Sequence, residues 1–369
     1  MEGITKMNKF YKYLGALSLI IAMVFVSSCE DDNALEVNEP SIKIVSNSLL
    51  FGPNGGIGTI EFESEYSVNA YSEQPWCEVS VAGNTVTVTV SEHQELENRY
   101  SSIILEAGET SVRVVAQQNG VIVSADVEDK YLLGNNEHSI AFDVTSNGTI
   151  SVSSSASWIR CTVDENKVSV AILKNETGHI RSGSFTYACG KASRTVEIAQ
   201  ASIENLYGNY RLMGYDKDNK LNYILANISA GETDDEILVT CTGEQFSWYF
   251  RGTFNPQTHQ LVFDNAQYVG ALNISGYNFY VYMCVLSQVS GNFTWDNSYT
   301  SEATVEYDQQ KQCSIIKMLP FSQSSSSGVT TYDSWIFAAF MKQDSATGKP
   351  SGSPSAYPAI FYTPYLQSY

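Results

Sequence analysis

The side chains that could do chemistry are few and scattered. Four histidines, His93, His138, His179 and His259, sit in turn-like stretches. None has the His-Glu-x-x-His or paired spacing that puts two imidazoles on one zinc ion. Asp216 and Asp218 in DKDNK, and Asp234 with Asp235 and Glu236, offer oxygens to calcium. Both runs lack the glycine and closing glutamate of a calcium loop and read as solvated hairpin turns. No Gly-x-Ser-x-Gly elbow and no Walker loop occurs. A glycosidase needs only two carboxylates at the right separation, which the 40 acidic residues leave open. No catalytic residue, metal ligand or cofactor is assigned. The segment that carries binding chemistry is GNFTWDNSYT, where aromatics sit among amides and a carboxylate in a loop. A ring stacks on the C–H face of a sugar while amide and carboxylate groups take its hydroxyls. Phe293, Trp295, Asp296, Asn297 and Tyr299 are therefore the candidate ligand-binding residues; the competing reading folds these aromatics back as a lid on a barrel end.

The elements that must position that segment follow from length and composition. At 369 residues the chain is long enough for two or three domains. Charged residues make up 17% and aromatics 12%, which suits large buried cores and not a disordered tail. A formal charge of -19 repels phosphate backbones and anionic lipid surfaces, so nucleic acid is excluded as a partner.

The amino end is a sorting signal. Lys9 and Lys12 precede an apolar run from Leu14 to Val26, followed by small residues and Cys29. Its roughly 13 apolar residues are shorter than the about 20 of a spanning helix, which marks a secretory signal peptide over residues 1–28. Val26, Ser27, Ser28 and Cys29 resemble the lipobox of bacterial lipoproteins. That resemblance implies lipid attachment at Cys29 and an outer-membrane anchor. Residues 29–40 are an acidic tether, and Glu30, Asp31 and Asp32 resemble the export signal of surface lipoproteins in the Bacteroidetes group, which implies exposure on the cell surface.

Beyond the tether the chain repeats itself at an offset of 82 residues. Trp76 maps onto Trp158, Val86 and Val88 onto Val168 and Val170, Arg99 onto Arg181, Gly108 onto Gly190 and Gln118 onto Gln200. A period this long is domain-sized. Each copy is a series of short segments with period-two alternation, such as TVTVTV and KVSVAIL, punctuated by Gly and Asn turns. About seven strands in some 80 residues with no helical stretch predict an immunoglobulin-like sandwich. Residues 41–119 form the first copy and 120–202 the second. Trp76 and Trp158 each read in two ways, as a sugar platform or as the large core side chain of a sandwich. Their equivalence across the repeat favours structural core. Arg99 and Arg181, each opening an edge-like strand, read as solvated or paired with a carboxylate.

The order of these features, an apolar strand ending at Phe51, a Gly-Gly turn, the tryptophan in an ASW-like step, NRYSS or HIRSG, and a closing Gln-Gln or Ala-Gln, resembles the BACON domain of Bacteroidetes surface proteins. It covers roughly residues 41–201 in two copies. The second copy departs from the pattern in its opening hairpin, KYLLGNNEHS, which lacks the Gly-Gly pair. The resemblance implies a protein that handles complex glycans, with these modules as carbohydrate binders or as spacers.

After Gln200 the texture changes. Sixteen of the 23 tyrosines and three of the five tryptophans fall beyond residue 204. Strand-like segments joined by short polar turns predict a larger antiparallel β-barrel or β-sandwich over residues 203–369. Gly208, Asn209 and Tyr210 resemble the Gly-x-Trp opening of lipocalin-like barrels. In YNFYVYMCVLS the residues Tyr277, Phe279, Val281, Met283 and Val285 form a core face, with Tyr280 and Tyr282 opposite. The serine run FSQSSSSGVTTYD is expected to be a loop, and the tail SGSPSAYPAIFYTPY a final edge strand.

Six cysteines remain after Cys29: Cys77, Cys161, Cys189, Cys241, Cys284 and Cys313. An exported protein can oxidise them, but spacing does not set a connectivity. Buried free thiols are expected, with Cys161 and Cys189 the first pair to test. The whole reads as an all-β, non-catalytic surface lipoprotein, two immunoglobulin-like sandwiches carrying a β domain that recognises a polysaccharide or host glycan. Two alternatives stand beside it: a scaffold or accessory subunit binding other proteins of a surface glycan-utilisation complex, and a glycoside hydrolase.

Overall fold

The computed structural model describes residues 41–243, 247–326 and 328–369. The signal peptide, the acidic tether and Cys29 lie outside them. Every regular element among the described residues is a strand, apart from one 3-10 turn at Ile203–Leu206.

The first module contains β1 (Lys43–Asn47), β2 (Leu50–Phe51), β3 (Gly56–Glu63), β4 (Asn69–Ser72), β5 (Cys77–Ala82), β6 (Thr85–Val90), β7 (Arg99–Ala107) and β8 (Thr110–Gln118). The second contains β9 (Val123–Ala125), β10 (Lys130–Leu133), β11 (His138–Ser146), β12 (Ser151–Ser154), β13 (Ile159–Asp164), β14 (Lys167–Ile172), β15 (Arg181–Cys189) and β16 (Ala192–Gln200). Strands β4 to β8 recur as β12 to β16 with both ends displaced by 82 residues. Sheets ordered β1-β3-β6-β5 and β2-β8-β7-β4 pack face to face, and β9-β11-β14-β13 with β10-β16-β15-β12 repeats them. The inward residues of the alternating strands meet as two separate cores, Ile60, Val86, Val88, Ile103 and Leu105 in one, and Val168, Val170, Phe185, Tyr187 and Ile198 in the other. Both modules are immunoglobulin-like sandwiches.

Trp76 and Trp158 pack on these cores from the rim and stay half-buried. A guanidinium closes each ring: Arg99 lies 4.3 Å over Trp76 and Arg181 lies 4.2 Å over Trp158. The arginine Nε donates to a fully buried glutamine, Gln118 at 2.8 Å or Gln200 at 2.9 Å. Its Nη2 donates to a backbone carbonyl, that of Ser91 or Leu173. The glutamine amides then bind Gly52 and Ser91, or Gly134 and Asn136. This corrects the expectation for Arg99 and Arg181. They sit in interior strands, they form no ion pair with a carboxylate among the described residues, and they cover the ring face that a sugar would use.

The third domain comprises β17 (Gly208–Tyr215), β18 (Leu221–Ala230), β19 (Glu236–Thr242), β20 (Ser247–Asn255), β21 (Gln260–Asp264), β22 (Gln267–Ile274), β23 (Tyr277–Leu286), β24 (Phe293–Thr294), β25 (Thr300–Asp308), β26 (Cys313–Met318), β27 (Phe321–Ser325), β28 (Gly328–Tyr332), β29 (Ser334–Gln343) and β30 (Pro350–Ser368). It is a closed barrel: β17-β18-β19-β20-β21-β25-β26-β30 run in order, and β30 pairs back onto β17. The first part of β30 leaves this ring to pair with β29, which carries β23 and β22. The seam between β22 and β20 is bridged by Gln267, whose amide accepts from Arg251 N and donates to Arg251 O, both at 2.8 Å. The tail is thus the strand that closes the barrel, not an edge, and the serine run forms the β27–β28 hairpin in place of a loop.

The barrel interior is filled. Trp248, Phe250, Phe263, Trp335 and Phe337 meet edge-to-face or tilted at its centre, with centroids 4.2–6.3 Å apart. The likeness at Gly208–Tyr210 to ligand-enclosing barrels therefore does not extend to an open lumen. Phe279, Val281, Met283 and Val285 face inward as expected, but Tyr277 is 62% exposed. A second layer lies outside the barrel, where Tyr282, Cys284, Leu286, Ile336, Ala338 and Phe340 cluster. All six described cysteines are free, Cys161 and Cys189 included.

Candidate functional site

The segment 287–299 leaves β23 and folds back over that outer layer. Buried Asn265 pins it: its Nδ2 donates to the carbonyls of Thr294 and Asp296, and its Oδ1 accepts from Val285 N. The five predicted residues are consequently divided. Phe293 is half-buried, 5.5 Å from Trp295 and 5.8 Å from Tyr357. Trp295 lies 5.7 Å from Phe340 and is 38% exposed. Asp296 accepts from Ser298 N at 2.9 Å, which holds its carboxyl below the usual range, and Asn297 accepts from Lys349 Nζ at 2.9 Å. Tyr299 turns away to Phe321 and Tyr332, beside a shallow cleft of about 330 Å³. The expected single aromatic cluster does not form. Trp295 alone of the three rings is well exposed, while Asp296 and Asn297 shape the loop.

A feature that the reading of the sequence missed runs along β30. Its outward side chains include Tyr357, Ile360, Tyr362, Tyr365 and Gln367, and Tyr369 follows at its end. Tyr362 and Tyr365 are three apart, so a regular strand would put them on opposite faces. A bulge prevents this. Met213 pairs with Tyr365 and Tyr215 with Tyr362, leaving Thr363 and Pro364 opposite the single residue Gly214. Thr363 takes a left-handed φ of 47°. A side chain at 214 would meet Phe361 Cβ at 2.8 Å, so glycine is required there. The extra residue returns Tyr365 to the outer face.

The tyrosines extend sideways into cross-strand rows. One row reads Tyr223, Met213, Tyr365 and Lys317 across β18, β17, β30 and β26; the next reads Leu225, Arg211, Gln367 and Ile315. Arg211 lies 4.4 Å over the Tyr369 ring and 5.6 Å over that of Tyr223. Burial and the neighbouring Tyr215 push the Tyr365 phenol up, so it remains a neutral donor at physiological pH. A partly exposed aromatic stripe thus passes from Trp295 and Tyr357, through half-buried Tyr362 and exposed Tyr215, to half-buried Tyr365 and Arg211 and exposed Tyr369.

A second concavity, of about 810 Å³, lies where the second module meets the barrel. Its prominent groups already hold the joint. His179 stacks on Tyr307 with centroids 3.7 Å apart, and Arg181 and Gln200 belong to the tryptophan clamp. His259 is buried against the Leu133 carbonyl, and that burial lowers its pKa.

Asp216, Asp296, Asp308 and Asp344 are all held below the ordinary carboxylate range, first by hydrogen bonds from Lys220 N, Ser298 N, Lys311 N and the Thr347 side chain. These four suit a permanent negative charge, whereas the general acid of a glycosidase needs a raised pKa.

No protein-family model matches the chain, and no curated protein matches it. Among solved structures, the I9–I11 tandem from titin gives a TM-score of 0.32 at 9% identity, covering 79% of this chain and 97% of that one. A chimeric titin Z1Z2 gives 0.26 at 10% identity, covering 44% and 96%. An endo-fucoidan hydrolase of glycoside hydrolase family 107 gives 0.20 at 10% identity, covering 42% and 32%. None of these likenesses carries an argument about function; the fold stands on the strand order above.

Proposed function

We propose that this protein is a lipid-anchored, non-catalytic protein of the cell surface, in which two immunoglobulin-like modules hold out a barrel that recognises a polysaccharide or host glycan. The observation that supports the reading most is the aromatic stripe of β30, kept on one outward face by the bulge at Thr363 and Pro364. Flat rings with amide, hydroxyl and cationic groups beside them suit sugars. The filled lumen leaves the outside of the barrel for binding, and the capped tryptophans of the modules suit spacers.

Affinity electrophoresis of the whole chain in gels containing host and dietary polysaccharides tests this. At least one polymer is expected to retard the protein, and Trp295→Ala and Tyr365→Ala are each expected to weaken that binding about tenfold. No retardation by any polymer would sink the reading. Anchoring is tested separately by fatty-acid labelling, which Cys29→Ser is expected to abolish.

A second reading, a scaffold or accessory subunit of a surface glycan-utilisation complex, draws on the exposed Leu221 and Leu225 beside the stripe. Specific capture of a membrane protein, lost in Leu225→Asp, would favour it over the glycan reading.

A further inference from the structure

The two ends of the stripe differ in charge. At the upper end Lys349 is engaged by Asn297, and Asp296 lies beside it. At the lower end the charged members of the two rows are Arg211 and Lys317. Elsewhere in the barrel Arg251 pairs with Glu232 and Glu236, and Lys311 pairs with Asp308. Arg211 and Lys317 form no ion pair among the described residues, although the chain carries 40 acidic residues against 21 basic ones. Asp216 is bound by its own turn and Asp308 by Lys311, while Glu306 follows Ile315 in the second row and lies diagonal to Lys317. Arg211 is instead held between the Tyr369 and Tyr223 rings. A guanidinium stacked on rings keeps the N–H groups of its edge free, and that edge matches a planar two-oxygen anion bidentately.

We infer that the lower end of the stripe binds a carboxylate-bearing polysaccharide, a uronate polymer, with Arg211 taking the carboxylate and Tyr365 carrying the sugar ring. The inference rests on the glycan reading above and names the substrate class for the same site. The carboxyl group of a uronate projects from the rim of its ring. A sugar lying flat on Tyr365 therefore brings that group alongside the guanidinium edge. The overall charge of -19 opposes long-range attraction of such a polymer. Beyond about 8–10 Å that field is screened at physiological salt, which leaves Arg211 beside the ring to decide.

The whole chain is titrated with polygalacturonan, with the same polymer after reduction of its carboxyl groups, and with dextran sulfate. The expected result is at least tenfold tighter binding of the acidic polymer than of its reduced form. Arg211→Gln is expected to erase that preference, and a circular dichroism spectrum and thermal midpoint matching those of the unaltered chain show that the variant is folded. Arg211→Lys, which keeps the charge without the fork, is expected to restore only part of it. Equal binding of the acidic and reduced polymers, or a preference that survives Arg211→Gln, would overturn the inference and leave the glycan reading intact. Tighter binding of dextran sulfate than of polygalacturonan would overturn the carboxylate assignment. Retention of none of these polymers overturns the uronate inference, and the wider polysaccharide panel then decides the glycan reading.

Discussion

The guanidinium of Arg181 lies 4.2 Å above the ring of Trp158 while its Nε donates to the buried amide of Gln200, and Arg99, Trp76 and Gln118 repeat the arrangement 82 residues earlier. Each clamp ties a loop, a central strand and the last strand of its module together. It therefore joins the two sheets at a rim where apolar packing is thin.

Removing one clamp is expected to destabilise its own module. Arg181→Ala deletes a cation–π contact and leaves Gln200 Oε1 and the Leu173 carbonyl without their donor. A loss of about 1–3 kcal/mol follows. Arg181→Lys is expected to recover little of it, because a point charge cannot reach both acceptors. Urea unfolding followed by tryptophan fluorescence checks the size, and an unchanged midpoint would show that the clamp is ornamental to stability.

Turn chemistry gives a second expectation. Gly83 and Glu165 occupy equivalent turns and both take left-handed φ, 58° and 52°. An L side chain in that region costs roughly 1 kcal/mol. Glu165→Gly should thus raise the stability of the second module by up to about 1 kcal/mol, and Gly83→Glu should lower that of the first. Thermal melts of the two variants should shift in opposite directions.

The joint between the second module and the barrel should weaken in acid. Burial, opposed in part by the Leu133 carbonyl and reinforced by the charge of Lys130, lowers the pKa of His259 below its ordinary 6.5. Among the described residues its buried Nε2 has no hydrogen-bond partner to take a second proton. The unfolded chain therefore binds a proton that the folded chain refuses, so stability is complete above about pH 6.5 and falls as pH drops below it toward the folded-state value. His179, Arg181, Glu306 and Tyr307 also line this joint. His259→Asn, which tolerates the residue's φ of 54°, should flatten the stability profile between about pH 6.5 and 5. A slope that persists in the variant would assign the effect elsewhere.

The repeat from Trp76 to Trp158, and the alternation of segments such as TVTVTV, already specified two sandwiches and their strands, because period-two burial and turn residues are local properties of a chain. The filled β domain was foreshadowed in the same way by the alternation of Phe279, Val281, Met283 and Val285. What stacks on Trp158 was not legible there, because Arg181 reaches it only once separate strands have paired. The aromatic face of β30 was hidden for a stronger reason. Tyr362 and Tyr365 have the wrong spacing to share a side of a regular strand, and their common outward direction comes from a bulge against Gly214, set by the pairing of β30 with β17. Which aromatics of GNFTWDNSYT remain exposed was likewise decided by Asn265 and Phe340, residues distant in sequence that draw Phe293 inward and leave Trp295 at the surface. Local alternation settles which residues can be strands, whereas the register of distant strands settles which side chains meet solvent together.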